Sequence, residues 1–283
     1  MFTSAKSLFN YIVQNVTAYP VKEVKAMAFM LLEHYLRLRN VDVLVDKPIE
    51  SDEQPNWEKI IERLNQSEPI QHIIGSTFFC GLEFKVSPSV LIPRPETEEL
   101  VKLIVKDCFW EESPVKIVDI GTGSGCIAIA LDRFMSFAKV WGWDVSDDAL
   151  GIAQENAHRL LSEVTFEKYD ILKDNTFEGQ FDCVVSNPPY VTYSEQTSME
   201  PNVLRFEPHL ALFVEDEDPL LFYRAIADFC TKHLKSDGTC YLEINEHFGR
   251  IVRELFQEKG FKKVEVIQDM YGKDRIVKAQ LSA

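Results

Sequence analysis

The tetrapeptide Asn187-Pro188-Pro189-Tyr190 is the part of this chain best equipped for chemistry. It follows Phe181-Asp182-Cys183-Val184-Val185-Ser186, an apolar run that reads as a buried strand. Each proline fixes its own φ and lacks an N–H. The residue before a proline is also driven out of the helical region. The backbone beyond Asn187 is therefore stiff, and its carbonyls have few local donors. The Asn187 side-chain oxygen and the Pro188 carbonyl then face one space. Two neighbouring acceptors suit an –NH2 group, which has two protons to donate. Tyr190 adds a flat face against which a planar group can lie. Taken alone, the tetrapeptide would equally describe a rigid loop after a core strand.

A second motif lies upstream. Val115-Lys116-Ile117-Val118-Asp119-Ile120 reads as a strand, and Gly121-Thr122-Gly123-Ser124-Gly125 as a glycine turn before the apolar helix that starts at Cys126. Glycine lets a backbone take positive φ and approach a ligand closely, and the start of a helix presents free N–H groups. Such a turn alone fits NAD, FAD or no ligand. Here the spacing is GxGxG, and Asp119 precedes the first glycine by two residues. The next strand, Ala138 to Asp144, ends in an acid placed to accept from two ribose hydroxyls, a role that NAD sites also use. A third strand, Val164 to Tyr169, leads into Asp170 and Ile171. This acid can accept from an adenine amino group, and Ile171 can pack on the ring. Each acid alone reads as a cap or a solvated turn. Four consecutive strand ends with ligand-type residues point instead to the carboxyl edge of a parallel sheet, where α/β folds bind ligands.

The Asp-x-Gly-x-Gly-x-Gly turn, the acid ending the second strand and the NPPY ending the fourth resemble class I S-adenosylmethionine-dependent methyltransferases that act on planar –NH2 groups. Further blocks narrow the resemblance: Pro69-Ile70-Gln71-His72, Phe78-Phe79-Cys80-Gly81-Leu82, Pro93-Arg94-Pro95-Glu96-Thr97-Glu98 and Phe206-Glu207-Pro208-His209-Leu210-Ala211-Leu212. Together they are similar to the HemK/PrmC family, the peptide chain release factor glutamine N5-methyltransferases, over nearly the whole chain. Two departures from the family pattern stand at Asp218-Pro219 and at Asn245 to Phe248.

The resemblance implies an α/β fold, a class I methyltransferase with a doubly wound, mostly parallel, seven-stranded sheet. It implies S-adenosyl-L-methionine as cofactor and methyl transfer to a glutamine N5 in a release factor. Asn187, Pro188, Pro189 and Tyr190 would be catalytic. Asp119, Gly121, Thr122, Gly123, Ser124, Gly125, Asp144, Asp170, Ile171 and Asn187 would hold the cofactor. The alternatives are an adenine-N6 or other nucleic-acid amine methyltransferase and a ribosomal-protein glutamine N5-methyltransferase. A non-enzymatic nucleotide-binding scaffold with a dead site is a third reading, which intact Asn187 and Tyr190 oppose.

Composition weighs on these alternatives. A net charge of −15 favours a protein or small-molecule substrate over direct nucleic-acid contact, because nucleic-acid binders present a basic stripe to phosphates. Six cysteines without a CxxC pair suggest neither a disulfide framework nor a metal site. Cys126, Cys183 and Cys240 sit in apolar runs and read as small core residues. The start, Met1 to Lys6, lacks the apolar core of a signal peptide. No run reaches about 18 apolar residues, so no membrane span is expected. The expectation is a cytoplasmic monomer.

The elements that must position these residues follow from periodicity. Leu8, Ile12 and Val16 make one helical face, and Val24, Met27, Leu31 and Tyr35 a second. Trp57, Ile60, Ile61 and Leu64 make a third after a polar turn at Ser51 to Pro55. Residues 1–70 thus read as a helical bundle, whose apolar stripe is most simply core; only the resemblance makes it a substrate-docking domain. Residues 71–92 read as a β-hairpin linker and 93–283 as the transferase domain. Arg94 is either a structural ion-pair partner or a cation facing the substrate. The terminal pair of strands around Asp269 to Asp274 forms a long hairpin, which predicts an antiparallel edge strand.

Overall fold

Apolar spacing near the N-terminus closes into the helices α1 (Ala5–Asn15), α2 (Val21–Leu36), α3 (Asn40–Leu44), α4 (Trp57–Asn65) and α5 (Ile70–Ile74) in a computed structural model of the chain. The structure describes residues 2–50, 54–108, 114–173 and 177–282; Ser51 to Glu53 of the expected polar turn lie outside them. Leu8, Ile12, Val24, Leu31, Trp57, Ile60 and Leu64 are buried in one apolar cluster, each contributing about 1.5–3 kcal/mol of burial. Side-chain caps set the helix starts. Ser4 accepts from the Ser7 amide, and Asn56 from the Lys59 amide. Asn65 accepts from the Thr17 amide at 2.7 Å and donates to the Asn15 carbonyl at 2.9 Å, tying the ends of α1 and α4. By contact density this unit comprises Met1–Gly75 and also Glu200–Phe206, a segment far away in sequence.

The second unit, Ser76–Met199 with Glu207–Ala283, begins with the hairpin β1 (Ser76–Phe79) and β2 (Leu82–Lys85) and the helix α6 (Pro95–Asp107). Then strands and helices alternate: β3 (Lys116–Ile120), α7 (Cys126–Phe134), β4 (Lys139–Asp144), α8 (Asp147–Leu160), β5 (Thr165–Lys168) and β6 (Phe181–Ser186). A short pair, β7 (Val191–Thr192) and β8 (Phe213–Val214), flanks α9 (Pro201–Phe206), and α10 (Leu221–His233), β9 (Leu234–Glu243), α11 (Gly249–Glu258), β10 (Lys263–Gln268) and β11 (Asp274–Gln280) complete the chain. The main sheet is seven-stranded, in the order β10-β11-β9-β6-β3-β4-β5. β3, β4, β5, β6 and β9 are mutually parallel. Strands such as Ile117 to Ile120 and Cys183 to Ser186 are buried on both faces, as a helix-covered parallel sheet requires.

The hairpin expectation needs correction. The antiparallel strand is β11, which lies inside the sheet between β9 and β10; the edge is β10, which runs with the parallel set. Burial explains the choice. β11 buries Ile276, Val277 and Ala279, whereas β10 alternates half-buried Val264, Val266 and exposed Lys263, Glu265. The more apolar arm takes the inner place, and the arm carrying charges takes the edge.

Register decides which side chains meet. Ile120 pairs with Trp143 and Ser186, and Ser186 with Leu242, so these four residues form one row across the sheet. The residues that follow them reach the carboxyl edge together: Asp144 and Glu243 as the last residues of β4 and β9, Gly121 and Asn187 just beyond β3 and β6. Beneath this row Trp143 is enclosed by Tyr169, Phe177, Phe181 and Phe229, with ring centroids 4.3–5.6 Å apart.

Gly142 is required by close packing. A Cβ there would stand 2.5 Å from the Phe166 ring and 2.9 Å from Thr122 Oγ1. We expect Gly142→Ala to destabilise the protein by about 1–3 kcal/mol through overpacking, seen as a lower urea midpoint at unchanged m-value. An unchanged midpoint would show that Phe166 can move aside freely.

Candidate active site

The glycine turn leaves β3 with Gly121, Gly123 and Gly125 all at positive φ, between 54° and 79°. L-residues with a Cβ adopt this region at a cost. Open space lies beside Gly121 and Gly123 where a Cβ would project, while Gly125 abuts Ile129, Ala153 and Phe166. The first two therefore leave the turn open, and the third packs against α7 and its neighbours. The amides of Gly121 and Thr122 are held by the Trp143 carbonyl, so β4 sets the shape of the turn.

Acids surround this turn. Asp119 is fully buried and accepts from Thr122 Oγ1 at 2.6 Å. Among the described residues its Oδ1 and the neighbouring Ser124 Oγ are buried with no hydrogen-bond partner. Orphaned polar atoms beside an open glycine cradle fit a polar ligand group. Burial pushes the Asp119 carboxyl up to about 7; the Thr122 hydroxyl and Ala128 amide oppose the rise, and the Asp144 charge adds to it. Asp144 Oδ2 accepts from the Gly123 amide and Oδ1 from the Ser146 amide, both at 2.9 Å. Its carboxyl is also raised by burial, against these backbone donors. Each oxygen keeps lone-pair capacity for a further donor, so a diol could bind there.

Asp170 stands apart from the row. β5 ends at Lys168, which pairs with Asp144, so Asp170 lies two residues farther out. Its Oδ1 caps the Leu172 amide at 3.0 Å and its Oδ2 pairs with Lys173 at 3.0 Å. Ile171 is half-buried against the aromatic cluster. Asp170 is thus anchored by its own turn.

At the end of β6, Ser186 donates to the Ile120 carbonyl at 2.6 Å and fixes the strand end. Asn187 Nδ2 donates to Thr97 Oγ1 at 3.2 Å. Among the described residues nothing donates to Asn187 Oδ1 or to the Pro188 carbonyl. The Tyr190 ring is partly accessible, while its hydroxyl is buried and donates to Glu243 Oε1 at 3.1 Å. Burial and the Glu243 charge push that phenol far above its ordinary value. Asn187 Oδ1 and the Pro188 carbonyl are thus two undonated acceptors in the tetrapeptide that ends in Tyr190.

Glu243, which sequence reasoning passed over, organises this corner together with residues read there only as parts of motifs. Glu243, the last residue of β9, is 1% exposed and accepts from both Thr97 at 2.6 Å and Tyr190. Burial raises its carboxyl, opposed by Thr97, Tyr190 and Arg275. Glu207 is buried, pairs with Arg94 at 2.6 Å and accepts from the Ile92 amide at 2.9 Å. Arg94 is therefore an ion-pair partner. Asn245 donates to Glu195 and to the Tyr190 carbonyl, and Glu195 in turn holds the Thr192 amide. The departures at Asn245 and Asp218 thus have structural partners: Asp218 pairs with Arg224 through two hydrogen bonds of 3.0 and 2.8 Å. The signal for Glu243 was its position, a charge at the end of an apolar strand. Its partners are 53 and 146 residues away and gave no local cue. The expected core cysteines Cys126, Cys183 and Cys240 are buried. Among the described residues no helix is long and apolar enough to cross a membrane.

Comparison with known proteins adds independent findings. Residues 98–204 match the family model described as Methyltransferase small domain, and residues 8–75 that described as PrmC N-terminal domain. The release factor glutamine methyltransferase of Bacteroides thetaiotaomicron is 47% identical over 264 residues, covering 92% of this chain and 94% of that protein. The protein of the same name from Flavobacterium psychrophilum is 43% identical over 277 residues, covering 95% and 97%. A methyltransferase crystal structure from Pyrococcus furiosus shares the fold, with a TM-score of 0.53 at 20% identity over 72% of this chain and 91% of that one.

The raised Asp119 carboxyl makes stability depend on pH. An acid with a folded-state pKa near 7 and an ordinary value of 3.8 binds its proton more tightly when folded. Its contribution is fully present below pH 4 and is lost as pH rises towards 7. Between pH 5 and 7.5 the protein without ligand should lose about 2 kcal/mol of stability relative to Asp119→Asn. Urea melts at the two pH values test this, and parallel wild-type and variant curves would contradict it.

Proposed function

The chain belongs to the release factor glutamine methyltransferase family, and we propose that it moves a methyl group from S-adenosyl-L-methionine to the N5 side-chain amide nitrogen of a glutamine in a peptide chain release factor. The observation that carries this reading is the pair of acceptors, Asn187 Oδ1 and the Pro188 carbonyl, beside the Tyr190 ring.

A carboxamide nitrogen is a weak nucleophile because its lone pair is delocalised. The chain can act mainly by orientation and by bonds that tighten in the transition state. Asn187 Oδ1 and the Pro188 carbonyl each accept one proton of the substrate –NH2, which turns the nitrogen lone pair towards the methyl donor. As the nitrogen loses conjugation and gains positive charge, both bonds strengthen. Pro189 keeps the turn rigid. Tyr190 lies against the amide plane and excludes water. When bound, the donor would supply a methyl group already activated on a sulfonium and leave as a neutral thioether, and the alkylated nitrogen would give one proton to water, so the protein needs to provide neither a metal nor a strong base.

Asp119, Gly121, Thr122, Gly123, Ser124 and Gly125 would cradle the polar end of the cofactor, whose orphaned and open features fit it. Asp144 would accept from the ribose diol, and Asp170 and Ile171 would bound the adenine. Asn187 would border both ligands. The N-terminal helices would form the docking domain for the protein substrate, a role supported by Leu44 and Val45, which α3 and its cap leave exposed. The net charge of −15 supports a protein substrate against a nucleic-acid one.

Asn187→Ala is expected to leave cofactor affinity within a few fold while kcat falls about 100-fold or more, the effect of losing one preorganised hydrogen-bond partner. Calorimetry and steady-state rates measure the two. With labelled donor, the wild type should modify a glutamine in a release factor and leave purified DNA and RNA unlabelled. Label in nucleic acid, with none in protein, would reverse the proposal.

A further inference from the structure

Glu243 is a buried carboxylate that methyl transfer does not itself require. Its burial is costly unless hydrogen bonds and a cation compensate. Thr97 and Tyr190 supply the hydrogen bonds. Arg275, 15% exposed and paired with Asp269, supplies a nearby positive charge.

The direction of these bonds has a consequence for Asn187. A threonine hydroxyl has one proton. Thr97 gives it to the Glu243 carboxylate across 2.6 Å, a short charge-assisted bond. Towards Asn187, Thr97 Oγ1 is then an acceptor only. The Asn187 atom 3.2 Å away must be the nitrogen, and Oδ1 must face the other way. In the reverse orientation two oxygens would confront each other at Thr97, and an –NH2 would confront the substrate –NH2. The two orientations of a carboxamide have nearly the same shape, so packing cannot choose between them. Only hydrogen-bond polarity can.

We propose that Glu243 and Thr97 are positioning residues that set the orientation of the Asn187 carboxamide, so that its oxygen is presented to the acceptor amide. The proposal rests on the reading of Asn187 as the acceptor of substrate amide protons. Strand register places the relay: Ser186 pairs with Leu242, so Asn187 and Glu243 follow side by side, and α6 brings Thr97 to both. Because Tyr190 also donates to Glu243, one carboxylate steadies the first and last residues of the tetrapeptide.

The test uses the full chain with a glutamine-bearing release factor. Thr97→Val keeps the shape and branching of the side chain and removes the hydroxyl; Thr97→Ser keeps the hydroxyl. Thr97→Val should lower kcat about 10- to 100-fold, the scale of a misoriented reactant, with KM and cofactor Kd within about twofold. Thr97→Ser should recover most of that rate. Glu243→Gln offers Thr97 a donor as well as an acceptor and should lower kcat in the same way. Cofactor calorimetry on each variant verifies the fold, and Thr97→Ser keeps the comparison decisive if Glu243→Gln does not fold. The proposal is overturned if Thr97→Val retains the wild-type kcat, or if Thr97→Ser is as slow as Thr97→Val, since the side chain would then only fill space. Failure of the underlying reading is distinct: Asn187→Ala would then keep the wild-type kcat on the release factor.

Discussion

The reactive corner depends on the hydrogen bonds that converge on the buried Glu243 carboxylate. This one side chain draws α6, the loop after β6 and the end of β9 to a point, through Thr97, Tyr190 and its own strand. The parallel register of β6 and β9 makes the convergence possible, because it delivers Asn187 and Glu243 to the sheet edge in adjacent positions. A shift of one residue would turn each of these side chains to the other face. The buried Ser186 hydroxyl, bonded to the Ile120 carbonyl, holds the neighbouring strand end against that shift.

The glycine turn after β3 is built on a different balance. Asp119 and Asp144 are both raised by burial, and Asp144 adds to the rise at Asp119. In the free protein these acids are held at a cost in stability. A ligand that brings positive charge or hydroxyl donors offsets that cost, so binding and folding favour each other there. Open space lies beside Gly121 and Gly123 in the turn between these acids. Glu207 plays a matching structural part at the start of α6. It ties Arg94 and Ile92, at the entry to α6, to the point where the chain returns from Glu200–Phe206.

Much of this was legible in the sequence because it is local. The glycine turn, the strand-ending acid Asp144 and the proline-stiffened Asn187 each announce their conformation within a few residues. So do the helical faces of Leu8 and Ile12 or Trp57 and Ile60. What was not legible is set by pairing across the fold. The hairpin of β10 and β11 could be read, but which arm takes the inner place depends on how Ile276 and Val277 meet β9. Asp170 was read as one of a row, yet β5 is short and the acid lies beyond it, engaged with Leu172 and Lys173. Thr97 and Glu243 are 146 residues apart, and neither has a local motif that forecasts a bond. Glu200–Phe206 joins the helical unit for the same kind of reason, since its partners lie far upstream.

The central claim is the polarity of one amide, and neutron diffraction reads it directly. Crystals of the protein with S-adenosylhomocysteine and a glutamine-bearing peptide would show where the deuterium atoms sit on the Asn187 carboxamide. The account predicts deuterium on the atom facing Thr97, and an undeuterated oxygen about 2.7–3.2 Å from the peptide amide nitrogen. Deuterium on the atom facing the peptide, or a glutamine amide bound away from Asn187, would contradict it.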